Sequence, residues 1–192
     1  MTHGTVATAR WRALDREGDD SCRLARADHG WLLVGHARFR DDDGFAALDY
    51  VVRCDTGWAT LSADVAGTHG GKDVSFRILR AEGGWTLNEE PQPEVAGARD
   101  LDLSFTPATN LMPLTRLSEQ AEPVLEVRAA WLSYPECALR PLDQTYTAGG
   151  TLDWVSYESA QNGHTARLRV DRSGFVTFYP GLWEGDVTHA PA

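Results

Sequence analysis

Asp100 and Asp102 form the one carboxylate pair in this chain whose spacing argues for chemistry. They alternate with Leu101, Leu103 and Phe105 in the run Arg99-Asp100-Leu101-Asp102-Leu103-Ser104-Phe105. On an extended strand this alternation turns both carboxylates to one face, about 6–7 Å apart at ~3.3 Å rise per residue. Glycoside hydrolysis uses two carboxyl groups about 5–9.5 Å apart, so a carbohydrate-active enzyme is one reading of the pair. Such an enzyme also needs one acid held protonated in an apolar pocket, and no neighbouring segment supplies it. The structural reading is that Arg116, whose five donors are fixed in a planar fork, ties both carboxylates to a following helix.

Other chemical motifs fail on inspection. Gly67-Thr68-His69-Gly70-Gly71-Lys72 resembles a phosphate loop, but that loop needs glycine where Ala66 stands and a hydroxyl where Asp73 stands. It reads as a turn between strands. The six histidines are scattered without metal-ligand spacing, and no nucleophile elbow surrounds a serine. Cys22, Cys54 and Cys137 form no CxxC pair and read as reduced thiols. No metal and no cofactor are expected, and a binding protein is favoured over an enzyme.

These residues must be positioned by strands. Leu48, Tyr50, Val52 and Cys54 alternate with polar residues, as do Val74, Phe76 and Ile78, and the pattern returns at Leu168-Val170 and Val176-Phe178. Period two marks strands with one buried face, and the intervening Asp- and Gly-rich turns imply antiparallel pairing. One segment differs. After Thr106-Pro107-Ala108-Thr109-Asn110, Leu111, Leu114, Leu117 and Ala121 recur at helical spacing. The reading is one short helix over about 109–121, capped by Thr109 or Asn110, with Pro113 in its first turn and Pro123 beyond its end. A helix so short forms only if its leucines are buried, so a curved sheet must wrap around it.

Composition narrows the partners. Acidic residues outnumber basic ones 28 to 18, and a net charge of −10 repels phosphate backbones and anionic membranes. Nucleic acid is not expected as a partner. The segment Met1–Leu14 lacks the apolar core of a secretory signal, and Trp31-Leu32-Leu33-Val34 is too short to span a bilayer. The expectation is a cytoplasmic protein with no transmembrane segment. The seven tryptophans read first as core residues, although indole faces also stack on sugar rings.

The stretch from Gly97 to Leu117, with its Asp-x-Asp-Leu, Thr-Pro-x-Thr-Asn-x-x-Pro and Arg-Leu elements, resembles the bacterial putative glycolipid-binding family. The resemblance continues at Ala130-Trp131, Pro141-Leu142-Asp143-Gln144-Thr145-Tyr146, Tyr157-Glu158-Ser159, Leu168–Gly174 and Tyr179-Pro180-Gly181-Leu182-Trp183. Ala98 stands where that family usually has cysteine, and Thr115 where it usually has a second arginine. The resemblance implies one domain over 1–192, a spiral β-roll in which a long antiparallel sheet winds around one helix, and a homodimer. It also implies an amphiphilic ligand such as a glycolipid, its chain against apolar walls and its head near Asp100, Asp102, Asn110, Arg116, Gln144 and Tyr146. A neutral sugar head suits the acidic surface, because carboxylates and amides accept hydrogen bonds from hydroxyls. The alternative is a structural or protein-interaction module in which the same residues only tie helix to sheet.

Overall fold

The computed structural model describes residues 4–150 and 153–191. The first half supplies β1 (Thr5–Ala13), β2 (Gly18–Ala27), β3 (Gly30–Asp41), β4 (Gly44–Cys54), β5 (Thr60–His69), β6 (Lys72–Ala81), β7 (Gly84–Leu87) and β8 (Glu90–Pro91). The second half supplies β9 (Asp100–Leu103), the helix α1 (Leu111–Glu119), β10 (Val124–Leu132), β11 (Leu139–Ala148), β12 (Trp154–Ser159), β13 (His164–Val170), β14 (Val176–Tyr179) and β15 (Trp183–His189). Short 3-10 turns occupy Pro93–Val95 and Ala108–Asn110.

All fifteen strands belong to one sheet, ordered β8 through β1, then β15 down to β9. The strands β1–β8 and β10–β15 are each an antiparallel meander, and the two join where β1 pairs with β15, from Ala7 opposite His189 to Ala13 opposite Trp183. This order forces the sheet to curl. Strands β8 and β9 lie at opposite edges, yet the eight residues 92–99 connect them, and such a segment reaches no farther than about 28 Å. Fifteen strands laid flat would put those edges roughly 65 Å apart at ~4.8 Å per strand. The result is a mostly β spiral roll around one short helix.

The inner end of the spiral is β9, and its unpaired edge is covered by hydroxyls. Leu101 N–H donates to Thr60 Oγ1 at 3.1 Å, and Leu103 N–H to Thr109 Oγ1 at 3.3 Å. At the other edge β8 is two exposed residues, one of them a proline without an N–H. Both edges are thus protected within the chain.

Alternation reads through to the core. Ala46, Leu48, Tyr50, Val52 and Cys54 all point inward from β4, and the Leu111, Met112, Leu114 and Leu117 side of α1 is buried inside the curl. Three details differ from the sequence reading. First, β9 runs parallel to β10, Asp100 opposite Ala129 and Leu103 opposite Leu132, where only antiparallel neighbours are expected. Second, α1 spans 111–119 instead of 109–121, because residues 108–110 wind as a 3-10 turn and Gln120 is already extended. Third, neither Thr109 nor Asn110 caps it: Asn110 has helical backbone angles and makes no side-chain cap. The hydroxyl of Thr106 takes the Ala108 N–H at 3.0 Å instead.

Two glycine positions show how local sequence serves the roll. Gly70 and Gly71, at φ 56° and 78°, make the two-residue turn between β5 and β6, so the apparent phosphate loop is a hairpin. Gly35 on β3 leaves room for the ring of its cross-strand partner Tyr50, which a Cβ would meet at 2.0 Å. The Tyr50 hydroxyl thereby reaches the buried Asp20 carboxylate on β2 at 2.9 Å and Thr106 Oγ1 at 3.1 Å. Thr106 also donates to Asp20. Burial pushes Asp20 up to about 6, against the Thr106 and Tyr50 hydrogen bonds that favour its ionised form.

Candidate functional site

The six candidate residues divide into three hydrogen-bonded groups. At the start of β9, Asp100 accepts Arg116 Nη1 on Oδ1 at 2.9 Å and Nη2 on Oδ2. Nη1 also donates to the carbonyl of Trp58 at 3.0 Å. Two residues on, Asp102 accepts Gln144 Nε2 at 2.8 Å, and that amide also donates to the Tyr157 oxygen at 3.1 Å. The Tyr146 hydroxyl donates to Asn110 Oδ1 at 3.4 Å.

The expected fork of Arg116 between both aspartates is corrected here. The guanidinium closes on Asp100 alone, while Asp102, two residues farther along β9, is met by Gln144 from β11. The pair of carboxylates therefore has two unlike environments. Asp100 is 1% exposed and neutralised by a buried arginine. Asp102 is partly accessible, and no ion pair is formed to it among the described residues. Burial pushes Asp102 up to about 6, the Gln144 hydrogen bond opposing and Asp100 adding to the rise. A two-carboxylate mechanism finds no support in this arrangement, because Asp100 does not share the cavity that Asp102 lines.

That cavity, about 380 Å³, opens at the end of the roll where β9, β12 and β14 finish and β13 and β15 begin. Its floor carries Asp102, Asn110 and Thr106, and its walls carry Trp131, Trp183, Leu142 and Leu182. The remaining side is aromatic: Tyr157 and Tyr179 lie 5.9 Å apart edge to face, and His164 stands 5.7 Å from Tyr179 and 6.1 Å from Tyr157. Burial raises the hydroxyl of Tyr157 to about 12 and Tyr179 higher still, so both stay protonated donors at neutral pH. His164 Nε2 is buried without a hydrogen-bond partner. The lining contains no arginine or lysine.

Of the sequence-derived residues, Asp102 and Asn110 line this cleft, Gln144 orients Asp102 from behind, and Tyr146 lies fully buried behind Asn110. Asp100 and Arg116 sit apart, against Trp58, itself stacked on Trp31 at 4.3 Å. The aromatic wall, Asn162 and His164 are not singled out by residue-level reasoning. Trp131, Tyr157, Tyr179 and Trp183 nonetheless all fall in the segments that carry the family resemblance. Inside the roll, Tyr50, Trp85, Phe105, Tyr146 and Phe175 are buried and packed. The apolar walls expected to receive a lipid chain therefore pack on one another.

Two other features compete for attention. A larger groove of about 860 Å³ crosses the outer face of β1, β15, β14 and β13, where Arg12 pairs with Glu184 at 3.0 Å and Arg169 with Asp153 at 3.5 Å at the surface. Near the mouth, Tyr134 and His69 Nδ1 are hydrogen-bonded at 2.7 Å, and His69 Nε2 meets Asp41 Oδ1 at 2.8 Å. Burial and the charges of Asp41 and Asp43 raise the Tyr134 hydroxyl to about 12. A phenol so placed is a latch for the 133–138 loop, not an activated nucleophile.

The family model described as "Putative glycolipid-binding" matches residues 8–185. The chain belongs to that family. Among solved structures, a DUF1089 family protein from Pseudomonas aeruginosa is 27% identical, with a TM-score of 0.73 over 86% of this chain and 91% of that one. A beta-barrel-like protein of a domain of unknown function from Brucella abortus is 11% identical, with a TM-score of 0.61 over 98% of each chain, and this likeness concerns the fold alone. No curated protein matches. Among the described residues, no helix is long and apolar enough to cross a membrane, and no cluster of metal ligands forms.

Proposed function

We propose that the protein is a non-catalytic binding protein that seats the polar head of an amphiphile in the cleft around Asp102. The observation that carries this reading is the meeting of aromatic walls with carboxylate and amide oxygens in one concavity. Trp131, Trp183, Tyr157 and Tyr179 offer ring faces, while Asp102, Asn110 and Asn162 offer oxygens. This combination recognises a head group rich in O–H or N–H donors. A volume of about 380 Å³ is at the lower end of ligand pockets, typically about 300–1,000 Å³, so it accommodates a head group and leaves a long acyl chain outside the core. The family description is consistent with such a ligand. The free thiols of Cys22, Cys54 and Cys137 suit a reducing compartment, which supports a cytoplasmic setting.

A second reading, a structural or interaction module without a small ligand, draws on the filled interior and on the mutual hydrogen bonding of Asp100 with Arg116 and of Asn110 with Tyr146. Two measurements separate them. Native mass spectrometry of the protein purified from its host should show a co-bound amphiphile. Short-chain alkyl amphiphiles with hydroxyl or amine heads should shift the indole N–H signals of Trp131 and Trp183 in NMR. No retained molecule and no indole shift with any head group would leave the module as the function.

A further inference from the structure

The charge inside the cleft is incomplete. Asp102 accepts a hydrogen bond from a neutral amide, Gln144, whose second hydrogen goes to Tyr157. No arginine or lysine lines the cavity, and the nearby Arg116 is committed to Asp100 and Trp58. A carboxylate withdrawn from water with one neutral donor lacks a counter-charge. Around it stand the rings of Tyr157, Tyr179 and His164, mutually within 6.1 Å, and aromatic faces attract cations. An independent observation adds a vacancy for a donor: His164 Nε2 is buried and unpartnered, and in the Nδ1–H tautomer it is an acceptor. The overall charge of −10 would also draw cations toward the protein.

We infer that the cleft takes a protonated primary amine on the head group of the bound molecule, seated between the Asp102 carboxylate and the rings of Tyr157, Tyr179 and His164. This rests on the reading of the cleft as a head-group site and narrows it. An amino sugar or an amino alcohol has the required group, while a purely hydroxylic head leaves the carboxylate without a counter-charge. A primary ammonium is favoured over a quaternary one, because Asp102, Asn110 and His164 call for N–H donors as well as charge.

The test compares three probes with the same short chain, hexylammonium, hexyltrimethylammonium and hexyl glucoside, titrated at pH 8 and followed by calorimetry and by the Trp131 and Trp183 indole signals. Hexylammonium should bind at least tenfold more tightly than hexyl glucoside, with the trimethyl compound between them. Asp102→Asn should remove that preference, bringing hexylammonium to within twofold of hexyl glucoside. An assay on the unmodified protein guards against a folding defect in the variant: lowering the pH from 8 to 5 should weaken hexylammonium about tenfold and hexyl glucoside by much less. Glucoside binding equal to or tighter than ammonium, or an ammonium affinity indifferent to Asp102→Asn and to pH, overturns the amine and leaves the head-group site standing. Silence from all three probes overturns both.

Discussion

Replacing Arg116 by alanine strips the guanidinium from Asp100, whose side chain is 2% exposed, and from the Trp58 carbonyl. Burial alone pushes the Asp100 carboxyl up, and the paired arginine opposes that rise. Without its partner the acid must either ionise unpaired or take up a proton. Breaking a buried pair from one side costs about 3–5 kcal/mol, a large part of the roughly 5–15 kcal/mol that holds a domain folded. At about 2–4 °C per kcal/mol for a chain of this size, the melting temperature should fall by roughly 6–20 °C. Scanning calorimetry at pH 7.5, with urea unfolding as a second probe, measures it. Arg116→Lys should recover part of the loss, since an ammonium cannot form the two-pronged contact. The double change Asp100→Asn with Arg116→Met should be more stable than Arg116→Ala, because no uncompensated charge remains. A melting point for Arg116→Ala within 3 °C of the parent would refute the reasoning.

Further outcomes follow from other parts of the roll. Asp20 has a folded value of about 6 against 3.8 for the ordinary carboxyl, so its contribution to stability is full below about pH 4 and is lost as pH rises through about 6. The ionisation costs about 3 kcal/mol at 1.36 kcal/mol per pH unit. Urea midpoints between pH 4.5 and 7.5 should therefore vary less for Asp20→Asn than for the parent, and parallel curves would count against a buried ionising Asp20. Gly35→Ala places a methyl 2.0 Å from the Tyr50 ring and should destabilise by about 1–3 kcal/mol; Gly35→Ala with Tyr50→Phe should lose little beyond the single change, because the hydroxyl contact is already gone. Thr60→Val leaves the Leu101 N–H buried without an acceptor and should cost about 1–3 kcal/mol, with accelerated exchange of that amide as its signature.

Much of the fold is legible because alternation fixes which face is buried: Leu48, Tyr50, Val52 and Cys54 point inward as their period-two pattern requires. The direction of β9 is not legible, since Asp-Leu-Asp-Leu reads identically whether its neighbour runs parallel or antiparallel. The helix limits fail for a local reason, a 3-10 turn that a propensity reading merges with the helix after it. The site was legible only to the level of the motif. Spacing gives Asp100 and Asp102 equal standing, and what separates them is contact with Gln144 and Arg116, residues brought in by other elements. The aromatic wall depends on Tyr157, His164 and Tyr179 arriving together from three strands, a meeting that no single segment announces.

The β1–β15 seam sets a timetable for synthesis. Residues 13 and 183 are neighbours in the finished ladder, yet at roughly 5–20 residues per second a ribosome needs about 10–35 s to pass from one to the other. Throughout that interval the nascent β1 has a free ladder edge available to any passing strand. Arg10 and Arg12, which remain exposed on β1, place positive charge on that edge during the wait, the kind of residue that discourages stray pairing. The partner that finally closes it presents Glu184 and Asp186 opposite those arginines, so the charges that repel a wrong strand are the ones that select the right one.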